Sequence, residues 1–153
     1  MTIEARLQEL GIELPQAAAP VASYVPVVIH GDLAFVSGQV SFVDGELFKG
    51  RLGEDVSLES GIKAARGCGL MILAQLNAAL GSLDRVERVV KLGGFVNSTP
   101  DFTDQPKVVN GASDLMLEVF GEAGKHARAA VGVPSLPLGV AVEVDAVVAI
   151  KGA

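Results

Sequence analysis

The chain has 153 residues, 18 acidic and 12 basic, for a formal net charge of -6. That length suits one domain with a core able to bury about 68–70% of the unfolded surface. With 50% hydrophobic and 20% charged residues the composition excludes a disordered chain. A pI near 4.8 argues against a nucleic-acid module. The single cysteine, Cys68, excludes an internal disulfide and a thiolate zinc site.

No stretch approaches 18 uninterrupted apolar residues, so no membrane span is expected. The N-terminus carries Glu4 early and lacks an apolar signal core, so a cytoplasmic location is the default expectation.

Residues 1–11 read as a short amphipathic helix, with Ile3, Leu7 and Leu10 on one stripe and Gly11 as its stop. Residues 12–24 carry Pro15 and Pro20 and read as an extended tether. Two β-rich runs follow at 25–30 and 33–37, with Gly31-Asp32 as a tight hairpin turn between them. Pro26 belongs near the start or edge of its strand. Asp44-Gly45 marks a further turn within 40–48.

Residues 57–80 are the clearest helix, with Ser57 as N-cap and Gly81 as C-terminal stop. Gly61, Gly67 and Gly69 each cost about 1 kcal/mol of helix propensity against Ala, which implies close packing, expected on a sheet. A strand at 85–97 and a helix at 105–120 come next. The helix stripe is Val108, Val109, Ala112, Leu115, Met116 and Val119. Strands at 128–133 and 140–150 close the chain.

The order ββαβαββ is an α+β pattern in one domain spanning 1–153. Two helices cover one face of such a sheet. The last strand nevertheless carries Val142, Val144, Ala146 and Val148 on one face and Val147 and Ala149 on the other. A half-solvated antiparallel sheet alternates cleanly. The second apolar face therefore predicts a homo-oligomer.

His30 and His126 lie in no metal-ligand spacing, and no HExxH, CxxC, P-loop or GxGxxG motif is present. His30 reads as a turn residue and His126 as a loop histidine. Cys68, in mid-helix, reads as a buried inert thiol. Gly93-Gly94 inside a strand reads as a bulge or a close backbone approach. Ser37, at a strand end beside Gly38, reads as a site-lining or turn residue.

Two ionised residues stand in apolar settings: Arg128 at the head of a strand and Glu143 inside the last one. A solvated pair or a mutual salt bridge would account for both. A planar guanidinium also suits a substrate carboxylate, and a carboxylate can position or activate water.

The stretch Arg128-Ala129-Ala130-Val131-Gly132-Val133, followed by Leu136-Pro137 and Val142-Glu143-Val144, resembles the signature of the RidA (YjgF) family. This family is also called the reactive-intermediate deaminase or L-PSP endoribonuclease family. Tyr24, Phe35-Val36-Ser37-Gly38-Gln39 and Phe95-Val96 through Asp101-Phe102 to Asn110 extend the resemblance, and the N-terminal helix suggests a longer-chain subgroup.

The resemblance implies a chorismate-mutase-like fold, a homotrimer with a central barrel of three sheets, and sites between subunits. It implies hydrolysis of enamines and imines such as 2-aminoacrylate to 2-oxo acids and ammonia, without metal or organic cofactor. Residue by residue, Arg128 would hold the substrate carboxylate and Glu143 would orient water. Tyr24, Ser37, Gly38 and Asn110 would line the site. Many members carry a cysteine where this chain has Ala130, whose backbone alone could serve. The alternatives are a non-catalytic trimer that binds small carboxylates, and an endoribonuclease. The acidic charge and the sparse set Lys63, Arg66, Arg85, Arg88 and Lys91 speak against RNA.

Overall fold

The computed structural model describes residues 1–19 and 23–152. Pro20, Val21 and Ala22 of the expected tether lie outside the described residues.

Helix α1 spans Ile3–Glu9. Thr2 caps it, its hydroxyl accepting the Ala5 N–H at 3.1 Å, an arrangement that contributes about 0.5–2 kcal/mol. Leu7 is buried, and Ile3 and Leu10 pack partly against the same core, as their shared stripe requires. Residues 12–19 have no regular structure.

Strands β1 (Val27–His30) and β2 (Leu33–Val40) form a hairpin in which His30 pairs with Leu33. Gly31 takes φ +61 at the first turn position, where a side chain would be strained. Pro26 lies just before β1, which is an edge strand and begins two residues later than expected. A two-residue turn at Asp44-Gly45 joins the short strands β3 (Phe42–Val43) and β4 (Glu46–Leu47).

Helix α2 runs over Leu58–Leu80, with the Ser57 hydroxyl accepting the Ser60 N–H at 3.1 Å and Gly81 left-handed at its end. Strand β5 is Val86–Asn97, helix α3 Gln105–Phe120, strand β6 Ala127–Val133 and strand β7 Val142–Ile150. The segment expected to open the last strand at Val140 instead follows a 3-10 turn at Pro137–Gly139. Residues 83–85 form another such turn, so β5 starts one residue late.

The main sheet has the order β1-β2-β7-β5-β6. Every pairing in it is antiparallel except β5 with β6. The parallel pair is joined through α3, as a parallel pair requires a crossover. Helices α2 and α3 cover one face. Val142, Val144, Ala146 and Val148 lie beneath them, each at most 3% exposed. On the other face Phe35 is 42% exposed and Val131 45%, with Val147 half-buried among them. This is the uncovered apolar face expected from β7.

The glycines of α2 correct one expectation. They pack against α3, the segment leading into α2 and the β3–β4 hairpin rather than against the sheet. A Cβ on Gly67 would strike the Phe42 carbonyl, one on Gly69 would press Leu115 and Ala112, and one on Gly61 would press Leu52 and Val108. With cover on three sides, α2 buries more than one stripe: Ala64, Cys68, Met71, Leu73 and Gln75 join Ala65, Gly69, Ile72, Leu76 and Leu80. The α3 stripe is buried at all six expected positions. No described helix is long and apolar enough to cross a membrane.

Candidate active site

The sheet register decides where the two charged residues stand. Arg128 lies beside Leu92, which lies beside Ala146. Leu92 and Ala146 are buried beneath the helices. Because side chains alternate along a strand, Arg128 and Ala130 belong to the helix-covered face at the β6 edge. Glu143 lies beside Phe95, which lies beside Val131 on the open face. The two residues are thus two strands apart, about 10 Å, and offset by three residues, about a further 10 Å along the strands. Within one protomer the structure does not bring them together, and no Arg128–Glu143 salt bridge forms.

Instead there are two half-sites. The first surrounds Glu143. A register shift in β2 between Val36 and Gln39 places Ser37 and Gly38 in an irregular loop of strand against β7. The Ser37 hydroxyl donates to the Val25 carbonyl at 2.8 Å, which ties the chain before β1 to this bulge. A Cβ on Gly38 would meet the end of the Glu143 side chain, so any larger residue there would push the carboxylate from its place. Tyr24, Pro26, Ser37, Gly38, Leu138 and Glu143 line a cavity of about 690 Å³ with mostly apolar walls. Burial raises the Glu143 carboxyl above its ordinary pKa of 4.5, and the neighbouring Asp145 charge raises it further. A carboxylate in that condition is a stronger base near neutrality.

The second half-site surrounds Arg128. Its Nη1 donates to Asn110 Oδ1 at 2.7 Å and to Ser113 Oγ at 3.1 Å. Asn110 and Ser113 are three apart on α3 and so share one face. No acidic side chain of the described residues pairs with Arg128, and its Nε and Nη2 donate to none of them. A half-buried guanidinium anchored by neutral groups, with two nitrogens open, has the chemistry to accept an anion in fork geometry. Ala130 follows on the same side of β6, opposite Gly94, which passes close to Val109.

Sequence reasoning missed three contributors. Ser113 lies outside the expected α3 stripe, although its i,i+3 relation to Asn110 is visible in the sequence. His126 is more than a loop histidine, since its ring meets Ser113 Oγ at 2.9 Å. Leu138 takes φ +62 within the Pro137–Gly139 turn and stands 66% exposed at the cavity. For a bulky residue that conformation is an outlier costing about 1–3 kcal/mol.

The other candidates fall where expected. Cys68 is fully buried, its thiol donating to the Val142 carbonyl at 3.5 Å. Its desolvation pushes its pKa far up. Gly93 and Gly94 are close approaches, to Asp145 and Val109, and the irregularities of β5 lie elsewhere. Arg66 pairs with Glu118 at 3.1 Å, and Arg85 and Arg88 donate to backbone carbonyls.

A family model described as "YjgF/chorismate mutase-like, putative endoribonuclease" matches residues 4–148. The chain belongs to this YjgF-like family. Protein TCP17 of Trypanosoma cruzi is 56% identical over 148 residues, covering 95% of this chain and 92% of its own. The crystal structure of Atu1372 from Agrobacterium tumefaciens, of unknown function, matches with TM-score 0.90 at 50% identity, over 97% of this chain and 92% of that one. The crystal structure of a "putative endoribonuclease" from Shewanella oneidensis gives TM-score 0.93 at 38% identity, over 98% of this chain and all of that one. The α+β, chorismate-mutase-like fold is therefore that of the YjgF-like proteins.

Proposed function

We propose that the protein hydrolyses enamine and imine intermediates of the 2-aminoacrylate type to 2-oxo acids and ammonia. The observation that carries this reading is Arg128, a guanidinium with neutral anchors, two open nitrogens and no acidic partner among the described residues. Three copies would join head to tail, the β6 edge of one against the β1–β2 edge of the next, with the open sheet faces turned inward. That arrangement unites the Arg128 half-site of one subunit with the Glu143 half-site of its neighbour.

In the joined cleft Arg128 grips the carboxylate of the substrate. An enamine first takes a proton from solvent at its methylene carbon and becomes the iminium ion. Glu143 accepts a proton from water as the oxygen bonds to the iminium carbon, giving a carbinolamine. That proton passes to the amino nitrogen, and the hydroxyl gives its own proton back to Glu143 as the C–N bond breaks, so ammonia leaves and a 2-oxo acid remains. Fixing the carboxylate and one water in place lowers the barrier through proximity, without a covalent enzyme intermediate.

The test is ammonia and pyruvate release from 2-aminoacrylate generated in situ, above the spontaneous rate. Loss of a charge-assisted contact worth about 1.5–3 kcal/mol predicts a fall of about ten- to a hundredfold in kcat/KM for Arg128→Ala. Equal rates for Arg128→Ala and wild type would refute the assignment. Carboxylate binding with no rate above the spontaneous one would make the protein a binding trimer instead.

A further inference from the structure

We infer that Ser113 and His126 are positioning residues that hold the Arg128 guanidinium in its carboxylate-binding orientation. This rests on the carboxylate-binding reading of Arg128. The argument is one of donors and acceptors. His126 Nδ1 lies 2.6 Å from the Gly124 carbonyl oxygen. That oxygen can only accept, so Nδ1 carries a proton. In the neutral ring Nε2 is then an acceptor, 2.9 Å from Ser113 Oγ. Arg128 Nη1 can only donate, and it meets the same Oγ at 3.1 Å. The Ser113 hydroxyl must therefore accept from Arg128 and give its own proton to His126.

The result is a directed chain from Arg128 through Ser113 and His126 to the Gly124 backbone. Asn110 Oδ1 takes the other Nη1 hydrogen at 2.7 Å. One guanidinium nitrogen is thus saturated by two acceptors at fixed places, which orients the open Nε and Nη2. Ser113 is 8% exposed, so its hydroxyl has little water to fall back on. Without the His126 acceptor the hydroxyl can rotate, and its lone pair no longer faces Arg128. His126 touches no substrate in this scheme and acts only through Ser113.

The test uses the full chain with 2-oxobutanoate as the carboxylate probe. Calorimetric titration should show a Kd raised about three- to tenfold in Ser113→Ala and His126→Leu. His126→Gln offers an amide oxygen near the Nε2 position and should restore most of the affinity. In turnover assays the same variants should raise KM while leaving kcat near wild type. A second readout is independent of any ligand: 15N spectra of the imidazoles, simplified because the chain has two histidines. The neutral His126 ring should carry its proton on Nδ1. A proton on Nε2 overturns the proposal. So do Ser113→Ala and His126→Leu variants that bind 2-oxobutanoate like wild type while Arg128→Ala loses it. That pattern leaves the carboxylate reading standing. A wild type that does not bind 2-oxobutanoate, or binds it no better than Arg128→Ala, overturns both.

Discussion

At Glu143 the proposed catalytic role and a stability cost meet in one residue. Its carboxylate is half-buried in a mostly apolar cavity, with Asp145 as a like-charged neighbour two residues on. Its pKa in the folded chain is raised above 4.5. Between that ordinary value and the raised one, the folded state holds a proton that the unfolded state has lost. Stability contributed by this site therefore falls as pH rises through that window and stays low above it. Glu143→Gln removes the ionisation. We predict that the variant melts at the same temperature as wild type below the ordinary carboxylate range and above it as pH rises to neutrality. Thermal melts from about pH 4 to about pH 8 check this. A pH-independent difference would contradict it. The same variant should lose about a hundredfold or more in kcat, as a displaced general base does. At this scale the residue types were readable in advance, because Arg128 and Glu143 are charges in apolar strands. Their partners were not, since no local pattern says that Arg128 turns to Asn110 and Ser113 on a distant helix rather than to Glu143.

At the scale of elements, caps and periodicity made the helices and strands legible to within two residues at most ends. Thr2, Ser57 and Gly81 stop or start their helices by satisfying local backbone groups, and such chemistry is written in adjacent residues. What the chain pattern did not reveal was the packing partner of α2. Glycines mark a close approach but not what approaches, and here it is the β3–β4 hairpin and α3. This yields a prediction that runs against propensity. Gly→Ala inside an exposed helix stabilises by about 1 kcal/mol. At Gly67 the new methyl meets the backbone carbonyl of Phe42, which cannot rotate away. Overpacking of that kind costs about 1–3 kcal/mol, so Gly67→Ala should lower the melting temperature. Gly69→Ala meets the flexible end of Leu115 first and should be milder. Thermal denaturation of the two variants side by side checks the order, and a Gly67→Ala that melts higher than Gly69→Ala would reverse it.

For the whole molecule, β7 carried the decisive signal. Apolar residues on both its faces predicted an uncovered sheet face, and the described chain leaves Phe35, Val131 and Val147 there without helical cover. A lysine at Val131 would place a charge on that face at its β6 edge strand, and desolvating an unpaired charge costs several kcal/mol. We predict that Val131→Lys breaks the proposed trimer into monomers in analytical ultracentrifugation while the monomer's far-UV spectrum stays native. An unchanged sedimentation coefficient would show that this face is not the assembly surface.

The separation of Arg128 from Glu143 is the feature that sequence spacing could not show, because it depends on strand order and on the side each residue takes. It also supplies the sharpest test of the assembly. If each site takes Arg128 from one subunit and Glu143 from the next, Arg128→Ala and Glu143→Gln proteins are each impaired for a different reason. In a head-to-tail ring every seam has one arginine donor and one glutamate donor. Unfolding the two variants together at equal concentration and refolding them scrambles the subunits. A seam is intact when the arginine comes from a Glu143→Gln subunit and the glutamate from an Arg128→Ala subunit. With random mixing that holds for about one seam in four. We therefore expect about a quarter of wild-type activity from the mixture, against about a tenth or less from either variant refolded alone. Sites contained within one subunit would give no recovery at any mixing ratio, because every subunit then keeps its own defect.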